Sequence, residues 1–194
     1  MGSHVQILEG LQGALQPQGF EVYLFQVGWY NDILEPSFHL SYPPDTLAFV
    51  VLSAPSMFEK SFKPFLAQHK LHNLRDPIDQ CVAHHMGLVK EKMFGVCVHP
   101  KYGGWFAIRA VLVFSEVQIP RLEQTPPIDC VPAQEDRIRL LENFNFNWRD
   151  GKYREVVAVE ERYSVEQTLY FSTPPAERRK LLDLWGQVHP SPPC

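Results

Sequence analysis

The stretch GVCVHPKYGGWFAIRAVLVFS, residues 95–115, decides the fold class that we predict. Gly95–His99 alternates small and apolar residues, and Trp105–Phe114 is a long run of β-branched and aromatic residues. Pro100–Gly104 supplies turn residues between the two runs. Two strand patterns joined by a short turn predict a β-hairpin.

Two features of this stretch point beyond its secondary structure. Gly103-Gly104 is the one Gly-Gly pair in the sequence, and glycine in or beside a strand often marks close approach by a ligand or another chain. Arg109 interrupts an otherwise apolar strand, and such a charge points to water, a partner or an anionic ligand. The residues alone favour a surface arginine at the edge of a hairpin.

The composition is typical of a globular protein with one sizeable core. The 194 residues are 45% hydrophobic and 21% charged, which suits a single domain, predicted over residues 1–188. The net charge of −4 argues against nucleic acid as a partner, and no run approaches the roughly 18 apolar residues of a membrane span. Four scattered cysteines without a Cys-x-x-Cys pair suit reduced thiols. We therefore expect a cytoplasmic protein.

The remaining patterns predict helices around a few strands, which indicates an α+β fold. Thr46–Ser53 is apolar on both faces and predicts a buried central strand. Ser56–Glu59 and Ser164–Gln167 are capping boxes that open helices, and Pro64 predicts a break in the first of these helices. The helix that Ser56–Glu59 opens is predicted to end near His69, and further helices are predicted at Gln6–Leu15, at residues 76–90, at residues 132–144 and from Thr173-Pro174 to about Trp185. A strand or strand pair is predicted within Gly19–Tyr30. The segments predicted to be irregular are a loop at Asn145–Tyr153 and a disordered tail at His189–Cys194.

Few residues carry chemistry that can be assigned without a family. The sequence has no Gly-x-Gly-x-x-Gly, Walker loop or Gly-x-Ser-x-Gly elbow, so dinucleotide, P-loop and α/β-hydrolase functions lack their signatures. His84-His85 are adjacent on a predicted helix, where their side chains diverge by about 100° and do not chelate one ion together. We therefore predict no metal site. Cys97 is either a buried structural thiol or a thiol that faces a ligand.

Three arginines in the second half of the chain are more suggestive. Arg109, Arg154 and Arg178 fall beside glycine, tyrosine or proline-capped ends of predicted elements. A guanidinium fork matches a carboxylate, so a small peptide with two carboxylates would engage several of them. Taken singly, each is typical of a solvated surface residue.

Six blocks of the sequence resemble the family of cobalamin C-type cobalamin-processing proteins. They are GFEVYLFQVGWYND, TLAFVVLSAPSMF, DPIDQCVAHH, GVCVHPKYGGWFAIR, FNFNWRDGKYR and RYSVEQTLYFSTPPAERR. They occur in the family's order from about Gly19 to Arg178, nearly the whole chain. The resemblance implies a flavin-reductase or nitroreductase-like α+β fold, with an antiparallel sheet and flanking helices.

The resemblance also implies a cyanocobalamin reductase that is at the same time an alkylcobalamin dealkylase. Cyanide is lost reductively, with electrons from FAD or FMN and ultimately from NADPH, and alkyl groups pass to glutathione as co-substrate. Family members hold cobalamin base-off, which makes cobalt easier to reduce and the cobalt–carbon bond more open to attack. The implied partners are the cobalamin D-type protein, methionine synthase and the reductase of methionine synthase, and full-length relatives are expected to dimerise on ligand binding.

Carried over motif by motif, the resemblance implies two sets of site residues. The implied glutathione-binding residues are Arg109, Arg154 and Arg178. No residue is assigned as catalytic, and the cobalt of cobalamin is the one metal implied. The implied cobalamin contacts are Cys97, Ile108, Gly95, Gly103, Gly104, Trp148 and Tyr153.

The sequence departs from the family pattern between Glu91 and Met93. A long family segment is missing there, enough for further strands and a helix, with Tyr-rich cobalamin contacts and part of the dimer surface. We hypothesise an in-frame internal deletion, such as a skipped exon, and expect weak cobalamin binding and little turnover. Two alternatives stay open: a non-catalytic cobalamin carrier or partner-binding module, and a plain flavin reductase.

Overall fold

The computed structural model describes residues 3–68 and 95–188. The chain divides into two compact units, one of residues 1–57 and 106–129 and one of residues 58–105 and 130–194. The prediction of a single domain over residues 1–188 stays a prediction. The helix predicted at residues 76–90 and the disordered tail predicted at His189–Cys194 lie outside the described residues.

Among the described residues, the first unit contains an antiparallel sheet of three strands. Its strands are β1 (Phe20–Gln26), β2 (Thr46–Ser53) and β3 (Ala107–Gln118), in the spatial order β1-β2-β3. In β2 every residue except Val50 is buried, because this strand is paired on both sides and is apolar on both faces. The predicted buried central strand is therefore confirmed with the same bounds.

The hairpin predicted for residues 95–115 is wrong in its first strand. Gly95–His99 forms no strand, and β3 pairs with β2 instead, with Ser53 opposite Ala107 and Leu47 opposite Phe114. His99 and Gly103 exchange two backbone hydrogen bonds of 2.8 Å. The tight turn is closed by these local hydrogen bonds, and β3 instead pairs along most of its length with the apolar strand β2.

One face of the sheet packs against a helix, α1 (Ser3–Leu15), which confirms the helix predicted at Gln6–Leu15. The helix is followed by a 3-10 turn and by Gly19, whose φ is +85°. A Cβ on Gly19 would lie 2.4 Å from the backbone nitrogen of Met57, so only glycine fits there. The core of this unit combines buried sheet residues with apolar residues of α1: Val22, Leu47, Phe49, Ile119, Ile7, Leu8, Leu11 and Leu15.

The segment Gly19–Tyr30 is only partly a strand. After β1 the chain enters a short helix, α2 (Val27–Asn31), rather than a second strand. The Gly28 N–H donates to the Pro44 carbonyl at 2.7 Å, and a Cβ on Gly28 would lie 2.9 Å from that oxygen. The close approach of the proline loop turns the chain away from the sheet, and the β-propensity of the local sequence contains no information about it.

The second unit is helical in the part that the structure describes. It contains α3 (Lys63–Gln68), α4 (Gln134–Phe146), α5 (Val165–Ser172) and α6 (Pro175–Val188). A π-helical turn at Phe58–Phe62 precedes α3, so the predicted irregularity at Pro64 falls at the start of α3. Ser164 caps α5 as predicted, because its hydroxyl oxygen accepts from the Gln167 N–H at 3.1 Å.

In the described part of the second unit, two apolar clusters stabilise the helices. One cluster joins Phe58 and Leu66 to residues of α5 and α6, namely Tyr170 and Leu182. The other contains Val131, Leu140 and Tyr153 with partly buried neighbours. No helix among the described residues is long and apolar enough to span a membrane. The described chain thus combines an antiparallel sheet with helices, as the α+β prediction states, and the nitroreductase-like arrangement stays a prediction.

Candidate functional site

The turn at Gly103-Gly104 packs against the segment around Arg154. The Gly104 N–H donates to the Arg154 carbonyl at 3.1 Å. Gly103 has a φ of +55°, and a Cβ there would lie 2.5 Å from the Arg154 carbonyl oxygen, while a Cβ on Gly104 would lie 2.8 Å from the Arg154 Cα. Both positions therefore require glycine, because a segment of the same chain approaches closely. Contact of the two glycines with cobalamin stays a prediction.

The Arg154 guanidinium lies among three aromatic rings. Its Cζ atom is 4.8 Å from the ring centroid of Tyr153, 5.2 Å from that of Tyr163 and 5.3 Å from that of Trp105. Its Nη1 donates to the Gly104 carbonyl. Cation–π contacts contribute roughly 0.5–2 kcal/mol, more when water is excluded. We call Arg154 and its three rings the Arg154 cage, and these contacts hold the guanidinium in one orientation.

The cage contains a buried polar atom without a hydrogen-bond partner. Within the described part of the chain, Trp105 Nε1 is buried and unpaired. The Trp105 ring meets the Tyr163 ring edge-on, with 5.2 Å between their centroids. An unpaired buried donor costs about 1–3 kcal/mol. The indole N–H is therefore the donor in the cage that an added acceptor would satisfy.

Sequence reasoning did not single out Trp105 or Tyr163. Arg154 and Gly104 lie 50 residues apart in the sequence, and no local pattern reports a contact of that range. The available signals were weak: Trp105 directly follows the Gly-Gly pair, and Tyr163 directly precedes the capping residue Ser164.

Tyr153 belongs to the core of the second unit. It is buried beside Val131 and Leu140, and its ring meets Phe144 edge-on with 5.1 Å between centroids. Burial raises the pKa of the Tyr153 hydroxyl, and the positive charge of Arg154 offsets part of that rise. Its predicted contact with cobalamin stays a prediction, and the contacts that the structure gives it are packing contacts and the cation–π contact with Arg154.

Arg178 closes the end of helix α5. Its Nε donates to the carbonyl oxygens of Tyr170 at 3.1 Å and of Thr173 at 3.0 Å. Its guanidinium also lies 5.0 Å from the Tyr170 ring centroid. The last carbonyls of a helix lack intrahelical donors, and a cation beside them is favourable. Arg178 therefore has a local structural role in addition to its predicted contact with glutathione.

Three of the predicted cobalamin contacts lie at the surface of the second unit. Gly95 and Cys97 are exposed, and Cys97 is a free thiol. Trp148 is 49% exposed, with the Arg149 guanidinium 4.7 Å from its ring centroid. The alternative in which Cys97 is a buried structural thiol is therefore wrong. An exposed thiol and an exposed indole are accessible to a large ligand.

Two predicted residues lie next to each other on β3 in the first unit. Ile108 is 56% exposed. The Nε of Arg109 donates to the Ser53 hydroxyl at 2.8 Å, at a register shift between Val51 and Leu52 of the neighbouring strand. The exposed Arg109 has no further protein partner among the described residues, so its terminal nitrogens are available to a carboxylate.

A polar cluster in the second unit was not predicted. Lys63 pairs with Glu59 at 2.9 Å and with Glu166 at a shorter distance, and the Ser164 hydroxyl donates to Glu59 at 2.9 Å. Hydrogen bonds from Glu166 and then Glu59 raise the pKa of Lys63 above its usual value. The cluster joins α3 to the start of α5 and is structural in character.

The described residues contain no cluster of potential metal ligands. Within residues 3–68 and 95–188, no three His, Cys, Asp or Glu side chains are placed to bind one ion. His84-His85 lie outside the described residues.

Among the predicted site residues, the structure brings Gly103, Gly104 and Arg154 into contact with one another.

The sequence matches a protein-family model. The model is that of the methylmalonic aciduria and homocystinuria type C family, and it matches in two segments, residues 19–93 and 87–182. The chain is 49% identical to a chicken protein named cyanocobalamin reductase / alkylcobalamin dealkylase, over 92% of this chain and 97% of the relative. It is 43% identical to the human protein of the same name, over 92% of this chain and 82% of the relative.

A solved structure is also similar. It is the crystal structure of a C. elegans B12-trafficking protein CblC, with a TM-score of 0.81 and 25% sequence identity over 94% of this chain and 97% of that one. The alignment with the chicken protein extends over 230 positions and uses 92% of this 194-residue chain, which is about 178 residues. About 52 of the aligned positions therefore have no residue in this chain.

Proposed function

The chain belongs to the methylmalonic aciduria and homocystinuria type C family, and from this membership we propose that it processes cobalamin inside the cell. The observation that carries the proposal is 49% identity to a cyanocobalamin reductase / alkylcobalamin dealkylase over almost the whole of both chains. The reactions proposed are removal of cyanide from cyanocobalamin and removal of alkyl groups from alkylcobalamins. The proposed place of action is the cytoplasm.

The proposed dealkylation uses glutathione as the acceptor of the alkyl group. The glutathione thiolate attacks the carbon bound to cobalt, a sulfur–carbon bond forms, and the electron pair of the broken bond stays on cobalt, which is reduced from Co(III) to Co(I). Positive charge near the thiol favours the thiolate. The residues proposed to bind the glutathione carboxylates are Arg109, Arg154 and Arg178.

The contacts of these arginines support unequal roles. Arg109 is exposed and uses only its Nε, on Ser53, so both of its terminal nitrogens remain for a bidentate contact with a carboxylate. Arg154 keeps Nε and Nη2 for a ligand while the Arg154 cage fixes its orientation. The Nε of Arg178 already donates to two backbone carbonyls at the end of α5, so it is not available to a ligand. We therefore propose Arg109 as the principal carboxylate contact on β3, and Arg154 as an oriented contact in the second unit.

A titration of glutathione tests the role of Arg109. We expect Arg109→Gln to weaken glutathione binding at least tenfold, because a hydrogen bond to a charged group contributes about 1.5–3 kcal/mol. The control is Arg139→Gln, which removes an exposed arginine paired with Asp136 on α4. Calorimetry that gives the same affinity for Arg109→Gln, Arg139→Gln and the unaltered chain would exclude this role.

The proposed decyanation needs electrons that a reduced FAD or FMN would supply, with NADPH as the ultimate reductant. No described side chain is assigned to a flavin. The proposed protein partners are the cobalamin D-type protein, methionine synthase and its reductase. Pull-down of the purified chain with each of these proteins tests that part of the proposal.

A second candidate function follows from the length of the alignments. About 52 aligned positions of the chicken relative have no residue here, and the two family segments overlap at residues 87–93. We propose that the chain lacks an internal segment between Glu91 and Met93, as an in-frame deletion would produce. A chain without part of the cobalamin pocket would act as a carrier or a partner-binding module.

Spectral titration with cobalamin distinguishes these functions. The family function requires a base-off spectrum on binding and then loss of the upper ligand when glutathione or reduced flavin is added. A base-off spectrum without later turnover would support the carrier. NADPH oxidation without any cobalamin effect would support a plain flavin reductase. Transcript sequencing that finds only this form at the locus would count against a skipped exon.

A further inference from the structure

The irregular segment at residues 122–129 is the feature on which this inference rests. It follows β3, it is neither helix nor strand, and residues 123–129 are exposed. Within the described part of the chain, residues 123–127 form no hydrogen bond and no ion pair. An exposed backbone of this kind can be bound in a new conformation without first breaking native structure. The segment is therefore accessible to an enzyme that must enclose a short stretch of chain.

The middle of this segment is the tripeptide Thr125-Pro126-Pro127. A residue that precedes proline is biased toward extended conformations, and consecutive prolines favour polyproline II. Thr125 therefore presents its hydroxyl from an extended backbone, as a phosphoryl acceptor in a kinase cleft requires. Proline has no N–H, so a kinase site without an acceptor at that position penalises every other residue after the modified one. The chemistry of the tripeptide fits a proline-directed kinase.

The same tripeptide occurs a second time, at Thr173-Pro174-Pro175, in a different structural setting. There the Thr173 N–H and hydroxyl both donate to the Leu169 carbonyl, at 3.0 Å and 2.6 Å. The Thr173 carbonyl accepts from Arg178 Nε at 3.0 Å. These bonds close the end of α5, so a kinase could bind this copy only after the helix end had unfolded. The structure therefore distinguishes two identical motifs and favours the one at Thr125.

We propose that Thr125 is a phosphorylation site for a proline-directed protein kinase, with ATP as the phosphoryl donor. The Thr125 hydroxyl oxygen attacks the γ-phosphorus of ATP, and an oxygen–phosphorus bond forms as the bond to ADP breaks. The hydroxyl proton passes to the carboxylate base of the kinase. The modification adds a charge of about −1.5 to −2 at neutral pH to a chain whose net charge is −4. The proposal does not depend on cobalamin, flavin or glutathione.

The first test incubates the purified, folded chain with ATP, Mg²⁺ and a purified mitogen-activated protein kinase. Peptide mass spectrometry assigns each phosphate to Thr125, Thr173 or Ser191, the three Ser/Thr-Pro positions of the sequence. Ser191 lies outside the described residues and does not enter the comparison. We expect Thr125 to be phosphorylated at least tenfold faster than Thr173, because only Thr125 is available without unfolding. An unmodified Thr125, or equal rates at Thr125 and Thr173, would overturn the proposal.

Two substitutions in the same segment test whether recognition is proline-directed. Pro126→Ala keeps the Thr125 hydroxyl and should slow its phosphorylation at least tenfold, since alanine brings an N–H that the kinase leaves unpaired. The matched control Pro127→Ala keeps the Thr-Pro pair and should change the rate by less than about threefold. Both prolines are exposed, so both variants should fold, and circular dichroism confirms it. Equal rates of Thr125 phosphorylation in the two variants would overturn the proposal.

Discussion

At the scale of single residues, Gly104 packs against Arg154, which lies 50 residues further along the sequence. The backbone at Arg154 lies where a side chain on Gly103 or Gly104 would be. The guanidinium of the same arginine returns to bond the Gly104 carbonyl. A residue predicted to bind glutathione therefore also closes a turn, and any substitution of Arg154 is expected to affect both stability and binding.

Gly103→Ala tests the close approach directly. We expect it to lower the free energy of unfolding by about 2–3 kcal/mol, because the left-handed backbone is unfavourable for alanine and the added Cβ meets the Arg154 carbonyl oxygen at 2.5 Å. Urea unfolding at neutral pH measures the change. Gly10→Ala, at a helical position with open space, should instead stabilise by about 0.5–1 kcal/mol. Equal effects of the two substitutions would contradict this account.

Lys63 gives a prediction about pH. Its pKa is raised in the folded chain by Glu166 and Glu59, so the contribution of the ammonium to stability is fully present below the unfolded pKa. That contribution is lost as the pH rises from about 10.4, the ordinary lysine value, through the folded pKa. The difference in unfolding free energy between the unaltered chain and Lys63→Met should therefore shrink between pH 8 and pH 11. A constant difference, measured by urea unfolding, would refute it.

At the scale of elements, the start of α5 is a point where helix capping and a tertiary contact coincide. The Ser164 hydroxyl oxygen accepts from the helix and its proton goes to Glu59. Loss of a cap costs roughly 0.5–2 kcal/mol. Ser164 thus fixes both where α5 begins and how α5 meets the segment before α3.

We expect Ser164→Ala to lower the unfolding free energy by about 1–2 kcal/mol, since one hydroxyl makes both bonds. The control is Ser172→Ala, which removes an exposed hydroxyl bonded to the Leu169 carbonyl at the other end of α5 and should change stability by less than about 0.5 kcal/mol. Thermal or urea unfolding measures both. An effect of Ser164→Ala as small as that of the control would show that the cap contributes little.

The elements show which patterns are predictable from sequence. β2 was predicted with its observed bounds because a strand buried on both faces must be apolar throughout, and that signal is local. The residues at Gly95–His99 have the alternation of a strand, but alternation does not specify a partner strand. The same holds for the Arg154 cage. Its three aromatic residues surround Arg154 only after distant segments of the chain have folded together, so no local sequence pattern identifies them.

At the scale of the whole molecule, the alignments and the fold similarity carry different information. The TM-score of 0.81 with the C. elegans structure shows a shared fold for most of the chain. About 52 aligned positions of the chicken relative without residues here bear instead on completeness. Marginal stability leaves a small domain little reserve against the loss of interior segments.

A chimera tests completeness. Insertion of the corresponding segment of the chicken relative between Glu91 and Met93 should raise the affinity for cobalamin at least tenfold and produce a base-off spectrum. The physical reason is that the proposed pocket regains its missing contacts. An insertion of the same length with a Gly/Ser-rich sequence serves as the control. Unchanged cobalamin affinity in the chimera would show that the shortened chain already has a complete site.

The central position of β2 has a consequence for amide hydrogen exchange. Its backbone groups are paired on both sides and almost all of its side chains are buried. Amides of this kind exchange with solvent only through the largest openings of a unit. The deuterium uptake of β2 therefore reports whether the first unit remains cooperatively folded, and it does so without ligand, cofactor or turnover.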